Sequence, residues 1–166
     1  MATSLDGATL VNPRYYNGPK PKTVNVLPTN SVTFKAGQLG YFDANGLAEV
    51  CADDESHADF IFNETRGTAA AATKTKASLI DADTEFEWMV VNGTTDAAAA
   101  RTMVGGLYSI EVISNVCVLD LDTAAAHTND IVYVTGLMSD LEPKRNAIAD
   151  SPGTVVGHII RTATQD

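Results

Sequence analysis

The sequence predicts a mainly β protein, a small β-barrel or β-sandwich that carries an extended N-terminal arm and at most one short helix. Short runs rich in Val, Ile, Thr, Phe and Tyr alternate with Gly, Asn and Asp along most of the chain, which is the pattern of strands joined by turns. Acidic and large apolar residues alternate over residues 85–90, as in a strand with one buried face. Four prolines fall within the first thirty residues. We therefore expect an arm at residues 1–30 and a β-barrel domain at residues 31–166.

The arm differs from the rest of the chain in backbone chemistry and in charge. Its prolines fix φ and remove N–H donors, which favours an extended segment over a helix. Residues 1–35 contain four basic side chains and one acidic one, a net charge of +3, whereas residues 36–166 carry −13. Tyr15, Tyr16 and Leu27 are apolar anchors that a freely solvated tail would not need. We expect the arm to dock on a protein surface.

Turn residues divide the rest of the chain into short predicted strands. Asn45-Gly46 favours a tight hairpin, because such turns need positive φ. Phe86 and Trp88 share one face of their strand and are expected to point into the core. The predicted strands are residues 31–35, 38–42, 47–51, 58–63, 85–91, 107–114, 116–121, 131–135 and 154–161.

Two alanine-rich stretches have different predicted structures. Residues 95–103 begin with a Thr or Asp cap, continue through four alanines and are followed by Gly105-Gly106, so they form the predicted helix. Residues 68–73 lack an apolar stripe and lie among Gly and Thr, so we expect a mobile surface loop there.

Charge and hydropathy argue against several classes of partner. The chain has 21 acidic and 11 basic side chains, a net charge of −10 and a pI near 4.5. Because nucleic acids and anionic membranes are recognised through an excess of Lys and Arg, we expect neither as a partner. The start of the chain lacks a basic region followed by an apolar one, and no window approaches 18 apolar residues. These features predict a soluble protein that is made in the cytosol.

The residue types that bind metals or perform nucleophilic catalysis are dispersed. Cys51 and Cys117 are 66 positions apart, and His57, His127 and His158 lack the spacing of a zinc site. The cysteines lie in apolar, strand-like surroundings and are predicted to be buried thiols, with a disulfide left open. No glycine-rich loop has the residues that cradle a phosphate. We expect neither a metal nor a cofactor.

Clustered carboxylates are the one dense polar feature of the sequence. Asp81, Asp83 and Glu85 leave a carboxylate-based hydrolase as an alternative, although no acid among them stands in an apolar setting that would raise its pKa. Asp120 and Asp122 alternate with leucines, which predicts the solvated face of a strand. We assign no catalytic residues and expect that the protein is not an enzyme.

Three stretches resemble the small β-barrel decoration, or cement, proteins of tailed-bacteriophage capsids. Residues 34–42 place a glycine turn before an apolar strand that leads into the Asn45-Gly46 hairpin. Residues 128–135 are similar to the family's acidic turn followed by an apolar strand with Tyr. Residues 153–160 resemble its glycine-flanked closing strand.

The resemblance implies a structural virion protein, commonly a homotrimer, on the outer surface of the capsid. Such a protein bridges neighbouring major capsid protein subunits and stabilises the expanded shell. We expect the arm to make the contacts with the capsid or with a sister protomer, and deletion of residues 1–28 to abolish shell binding while leaving the barrel folded. The expected contact residues are Arg14, Tyr15, Tyr16, Lys20 and Lys22.

A binding module for surface glycans is the alternative function. Small β-sandwiches of this kind bind sugars through exposed aromatic side chains, and Tyr41, Tyr108 and Tyr133 are the candidates. These tyrosines have a structural role as well, in the core or in a subunit interface. A glycan array that shows no saturable binding would exclude this alternative.

Overall fold

The structure, a computed structural model, describes residues 10–67, 73–93, 95–121, 129–142 and 152–160. The protein is mainly β, with 46% strand and 5% helix, and contains a closed five-stranded barrel together with a further sheet. The predicted fold class is therefore confirmed. The strands are β1 Arg14–Asn17, β2 Thr23–Val26, β3 Leu39–Phe42, β4 Ala48–Val50, β5 Phe60–Phe62, β6 Thr75–Leu79, β7 Glu85–Asn92, β8 Thr95–Asp96, β9 Leu107–Ile113, β10 Val116–Asp120, β11 Val132–Leu137 and β12 Thr154–Ile159. A 3₁₀ helix spans Arg101–Met103, and α1 spans Met138–Leu141.

Strands from the second half of the chain form a ring of pairings. The order is β7-β10-β9-β11-β12, and β12 pairs again with β7. β7 closes the ring because its two halves have different neighbours: β12 pairs with residues 85–89, whereas β10 runs parallel to residues 90–91. β1 lies beside the first half of β7 and β8 pairs with its end.

The other sheet comes from the first half of the chain. Its order is β2-β6-β5-β3-β4, and all its pairings are antiparallel. The chain just after β2 returns to β4 through a parallel bridge between Pro28 and Ala48. The N–H of Ala48 donates to the carbonyl of Leu27, and Ala48 in turn accepts from the N–H of Thr29. These bonds bring β4 beside the chain that leaves β2.

One apolar core joins the two sheets. Phe86 and Trp88 point inward as predicted, with 1% and 0% of their surface exposed. Leu39, which begins β3, and Cys51, which follows β4, belong to the same buried cluster. The indole Nε1 of Trp88 donates to the carbonyl of Gly157 at 3.1 Å, so the one polar atom of the largest core side chain is satisfied.

Residues 10–30 are extended, as the prolines indicate, and they take part in both sheets. β1 pairs with β7 and β2 pairs with β6, so the sheets begin before residue 31, where the sequence placed the start of the barrel domain. All four prolines lie outside these two strands, where a missing N–H breaks no strand pairing. Leu10 is 5% exposed against Val116 and Val118, and residues 1–9 lie outside the described residues.

The predicted helix at residues 95–103 is wrong except for its last turn. Residues 95–96 instead pair with the end of β7, and only the 3₁₀ turn at residues 101–103 is helical. The N–H of Ala97 donates to the carbonyl of Val90, and the carbonyl of Ala97 accepts the N–H of Gly153. These long-range backbone hydrogen bonds override the helix propensity of the alanines. The predicted strand at residues 31–35 is reduced to a single bridge between Phe34 and Arg66.

Other local predictions have mixed outcomes. The Asn45-Gly46 hairpin forms between β3 and β4, with Gly46 at φ +75°. The proposed loop at residues 68–73 lies almost wholly outside the described residues.

Asp120 is 4% exposed and its Oδ1 accepts the N–H of Gly93 at 2.8 Å, so the predicted solvated position of Asp120 is wrong. Its carboxylate is buried because it caps the turn after β7. Asp122 lies outside the described residues.

Candidate interaction surface

The five predicted contact residues lie on one continuous stretch, residues 14–22, which we call the basic segment. Arg14 and Tyr15 belong to β1 and are exposed, whereas Tyr16 is half-buried. Lys20 and Lys22 are exposed in the connection between β1 and β2. β1 is an edge strand of its sheet: among the described residues, β7 is its one partner strand. The basic segment thus combines an open strand edge with exposed cations and an exposed tyrosine.

The backbone of the basic segment is held in a defined shape. A β-bulge at Tyr16 interrupts the register between β1 and β7. The phenol of Tyr15 donates to the carbonyl of Gly18 at 2.8 Å, and the buried hydroxyl of Thr84 donates to the carbonyl of Pro19 at 2.8 Å. At the far end of the segment, the backbone carbonyl of Lys22 accepts the N–H of Leu79. The segment is therefore anchored along its length, although most of its side chains face solvent.

Gly18 permits this close approach of the basic segment to the barrel. Its φ is +91°, and a Cβ built on it would lie 2.3 Å from the carbonyl oxygen of Asp83. Only glycine satisfies both conditions. This position is not among the sequence predictions, although Asn17-Gly18 has the same turn signal as Asn45-Gly46.

Ion pairs in the described part of the chain do not involve the basic segment. The guanidinium of Arg101 makes a bidentate pair with Asp140, at 2.5 and 2.8 Å, and His57 lies near Asp59. The cations of the basic segment are therefore exposed charges, set against a chain whose net charge is −10.

A serine, a histidine and an aspartate come together beside β3 and β5, and this grouping is not among the sequence predictions. Ser56 Oγ lies 3.0 Å from Nδ1 of His57, and Nε2 of His57 lies 3.8 Å from Oδ2 of Asp59. Asp59 is 4% exposed and accepts the N–H of Phe42 at 2.8 Å. The 3.8 Å separation between His57 and Asp59 is longer than a hydrogen bond.

The acidic cluster forms turns and cross-strand bonds. Asp81 Oδ1 accepts the N–H of Asp83 at 2.9 Å. Glu85 accepts from the hydroxyl of Thr135 at 2.6 Å and from the side-chain amide of Asn17 at 3.5 Å. Across the described ranges, no three His, Cys, Asp or Glu side chains are grouped to hold a metal ion.

Both cysteines are free and buried thiols, as the sequence predicts. Burial raises the pKa of the Cys117 thiol to about 11 and also raises the pKa of Cys51. Burial thus favours the neutral thiol over the thiolate, which is the nucleophilic form of a cysteine.

The three tyrosines of the glycan hypothesis differ in exposure. Tyr41 and Tyr108 are half-buried and pack against the main core. Tyr133 is 36% exposed on β11 and lies opposite Leu107, which is 45% exposed. Only one of the three is thus available as an exposed platform.

Comparisons with known proteins identify no relative. No protein-family model, no curated protein and no solved structure matches the chain. Within the residues that the structure describes, no helix has the length and apolar character needed to cross a membrane.

Proposed function

We propose that this protein is a capsid decoration, or cement, protein that binds the outer surface of a tailed-phage shell and bridges major capsid protein subunits. The observation that carries the proposal is the basic segment, an exposed cationic strand edge on an acidic β-barrel. The similarity of three stretches to cement proteins supports the same function. No enzymatic activity and no cofactor are part of the proposal.

The open edge of β1 supplies the main-chain part of the contact. An edge strand presents N–H and C=O groups that pair with a strand of a neighbouring subunit. Because the bonds of Gly18 and Pro19 anchor the turn after β1 in advance, little backbone entropy is lost when a partner binds.

The side chains of the basic segment supply specificity. Tyr15 is 43% exposed and offers a large, rigid anchor, and Arg14 beside it is suited to a carboxylate. Lys20 and Lys22 attract an acidic capsid surface and speed association. As a homotrimer, the protein would present three basic segments together, so individually weak contacts would add through effective concentration.

Paired charge reversals test the proposal. Purified protein is mixed with expanded tailed-phage shells that lack their decoration protein, and saturable co-sedimentation is measured. We expect Lys20→Glu/Lys22→Glu to weaken binding at least about tenfold, since two steering charges are inverted. Lys74→Glu/Lys76→Glu is the matched control, because it has the same spacing and the same change of charge at exposed positions elsewhere.

Equal loss in both variants would contradict the role of the basic segment. Absence of saturable binding by the wild-type protein would refute the cement function itself. A glycan array with wild type and Tyr133→Ser would then test the alternative.

Substitution is preferable to the deletion of residues 1–28. That deletion also removes β2, which pairs with β6 from Thr23↔Ser78 to Val26↔Thr75. Val26 is 3% exposed and packs in the apolar core of the sheet β2-β6-β5-β3-β4. A deleted protein would therefore lose binding through unfolding as readily as through lost contacts.

A further inference from the structure

Four exposed apolar side chains gather around β11, and we call them the apolar patch: Val104, Leu107, Tyr133 and Leu141. Each has between 36% and 49% of its surface exposed. Within the described ranges, the one other large apolar side chain with such exposure is Tyr15 on β1. The patch is therefore a concentration of apolar surface, in contrast to the scattered single side chains that are normal on a soluble protein.

Contacts along β11 bring the members of the patch together. Tyr133 lies on β11 opposite Leu107, its partner on β9. The residue after Val104 donates its N–H to the carbonyl of Val134 at 2.8 Å. Further along the same strand, a Cβ built on Gly136 would lie 3.3 Å from Cδ1 of Leu141. The four side chains thus come from three strands and turns that β11 joins.

The edge of the patch is rigid and electrically balanced. The bidentate pair between Arg101 and Asp140 ties the 3₁₀ turn before the patch to α1, and it neutralises both charges. The four members of the patch carry no charge, whereas residues 36–166 as a whole carry −13. Two copies of this acidic body repel each other, and the patch adds nothing to that repulsion.

We propose that the apolar patch is a contact surface between two copies of this chain. A contact between like surfaces must be complementary to itself, and an uncharged apolar patch meets that condition, whereas two basic segments would repel each other. The patch exposes on the order of 300 Å², which suits the apolar core of an interface of about 800 Å² per partner with a polar rim. The inference goes beyond the capsid function and does not depend on it.

Sedimentation velocity of the purified full chain, from about 1 to about 500 µM, tests the proposal. We expect the wild type to self-associate as concentration rises, and Leu107→Ser/Tyr133→Ser to associate at least about tenfold more weakly, since two apolar anchors are lost. Lys74→Ser/Lys76→Ser is the control, because it places two serines at exposed positions outside the patch and should associate like the wild type. Circular dichroism verifies that each variant is folded.

Leu107→Ser alone is a second variant, because it leaves the contact between the rings of Tyr133 and His158 intact. A wild type that stays monomeric throughout this range would overturn the proposal, as would undiminished association of the folded patch variants. Loss of association in Tyr15→Ser, with none in the patch variants, would place the contact on the basic segment and equally overturn it.

Co-sedimentation with phage shells separates this inference from the proposed function. Self-association without shell binding supports the contact between copies and refutes the cement function alone. A monomeric wild type whose patch variants lose shell binding would show that a capsid subunit covers the patch, which overturns the contact between copies and supports the cement function.

Discussion

Replacing Gly18 by alanine tests how the basic segment is held against the barrel. Two separate costs apply: the residue has φ +91°, and the added Cβ would lie 2.3 Å from the carbonyl oxygen of Asp83. The positive φ costs an alanine about 1 kcal/mol. Relief of the clash moves the segment away from Thr84 and breaks its bond to Pro19, which adds about 1–2 kcal/mol. We expect a total destabilisation of about 2–3 kcal/mol.

Two other glycines separate these costs. Gly46 has φ +75° with nothing within 4 Å of an added Cβ, so Gly46→Ala measures the backbone term alone, about 1 kcal/mol. Gly67 has the same open space without positive φ, so Gly67→Ala should change stability by less than about 0.5 kcal/mol.

Thermal unfolding followed by circular dichroism provides the assay. For a chain of this size, 1 kcal/mol corresponds to about 2–4 °C, so Gly18→Ala should lower Tm by about 5–10 °C and Gly46→Ala by about 2–4 °C. If Gly18→Ala is no more destabilising than Gly46→Ala, the close contact with Asp83 does not hold the segment, and the reasoning fails.

Two further predictions concern ionisable groups. Since burial raises the pKa of both thiols, Cys51 and Cys117 should resist a thiol-specific reagent at pH 8 and react fully in denaturant; rapid labelling of the native protein would contradict their burial. The backbone N–H groups of Leu47 and Asn45 and the side chain of Asn45 hold the pKa of Asp43 below its usual value. This contribution to stability is complete above the unfolded-state pKa of 3.8 and is lost as the pH falls through the lower folded-state pKa. Acid unfolding of Asp43→Asn should therefore be less dependent on pH below about pH 4 than that of the wild type, and parallel curves for the two proteins would exclude the effect.

Local pattern predicts the elements whose structure depends on near neighbours. The alternation in residues 85–90 identifies β7 and the inward side of Trp88, because side chains alternate between the two faces of any strand. Asn45-Gly46 identifies a hairpin because its backbone conformation is intrinsic to those two residues. The alanines after β8 show the limit of this approach, since bonds from Val90 and Gly153 decide their conformation.

The candidate sites depend on contacts between distant parts of the chain. Composition identified residues 1–35 as basic, but the position of β1 at an open edge follows from its pairing with β7, about seventy residues away. The four members of the apolar patch have no common sequence signal. They come together because β9 pairs with β11 and Leu141 packs beside Gly136.

The sequence by itself determined the β class, most strands, the first hairpin and the opposite charges of the N-terminal stretch and the body. Periodicity, turn chemistry and charge depend on neighbouring residues alone. The tertiary structure decided that residues 10–30 join both sheets, that β7 closes a ring with β10 and β12, and that Asp120 is buried. These features arise from pairings between strands far apart in the chain, and such pairings are selected by the packing of the whole core.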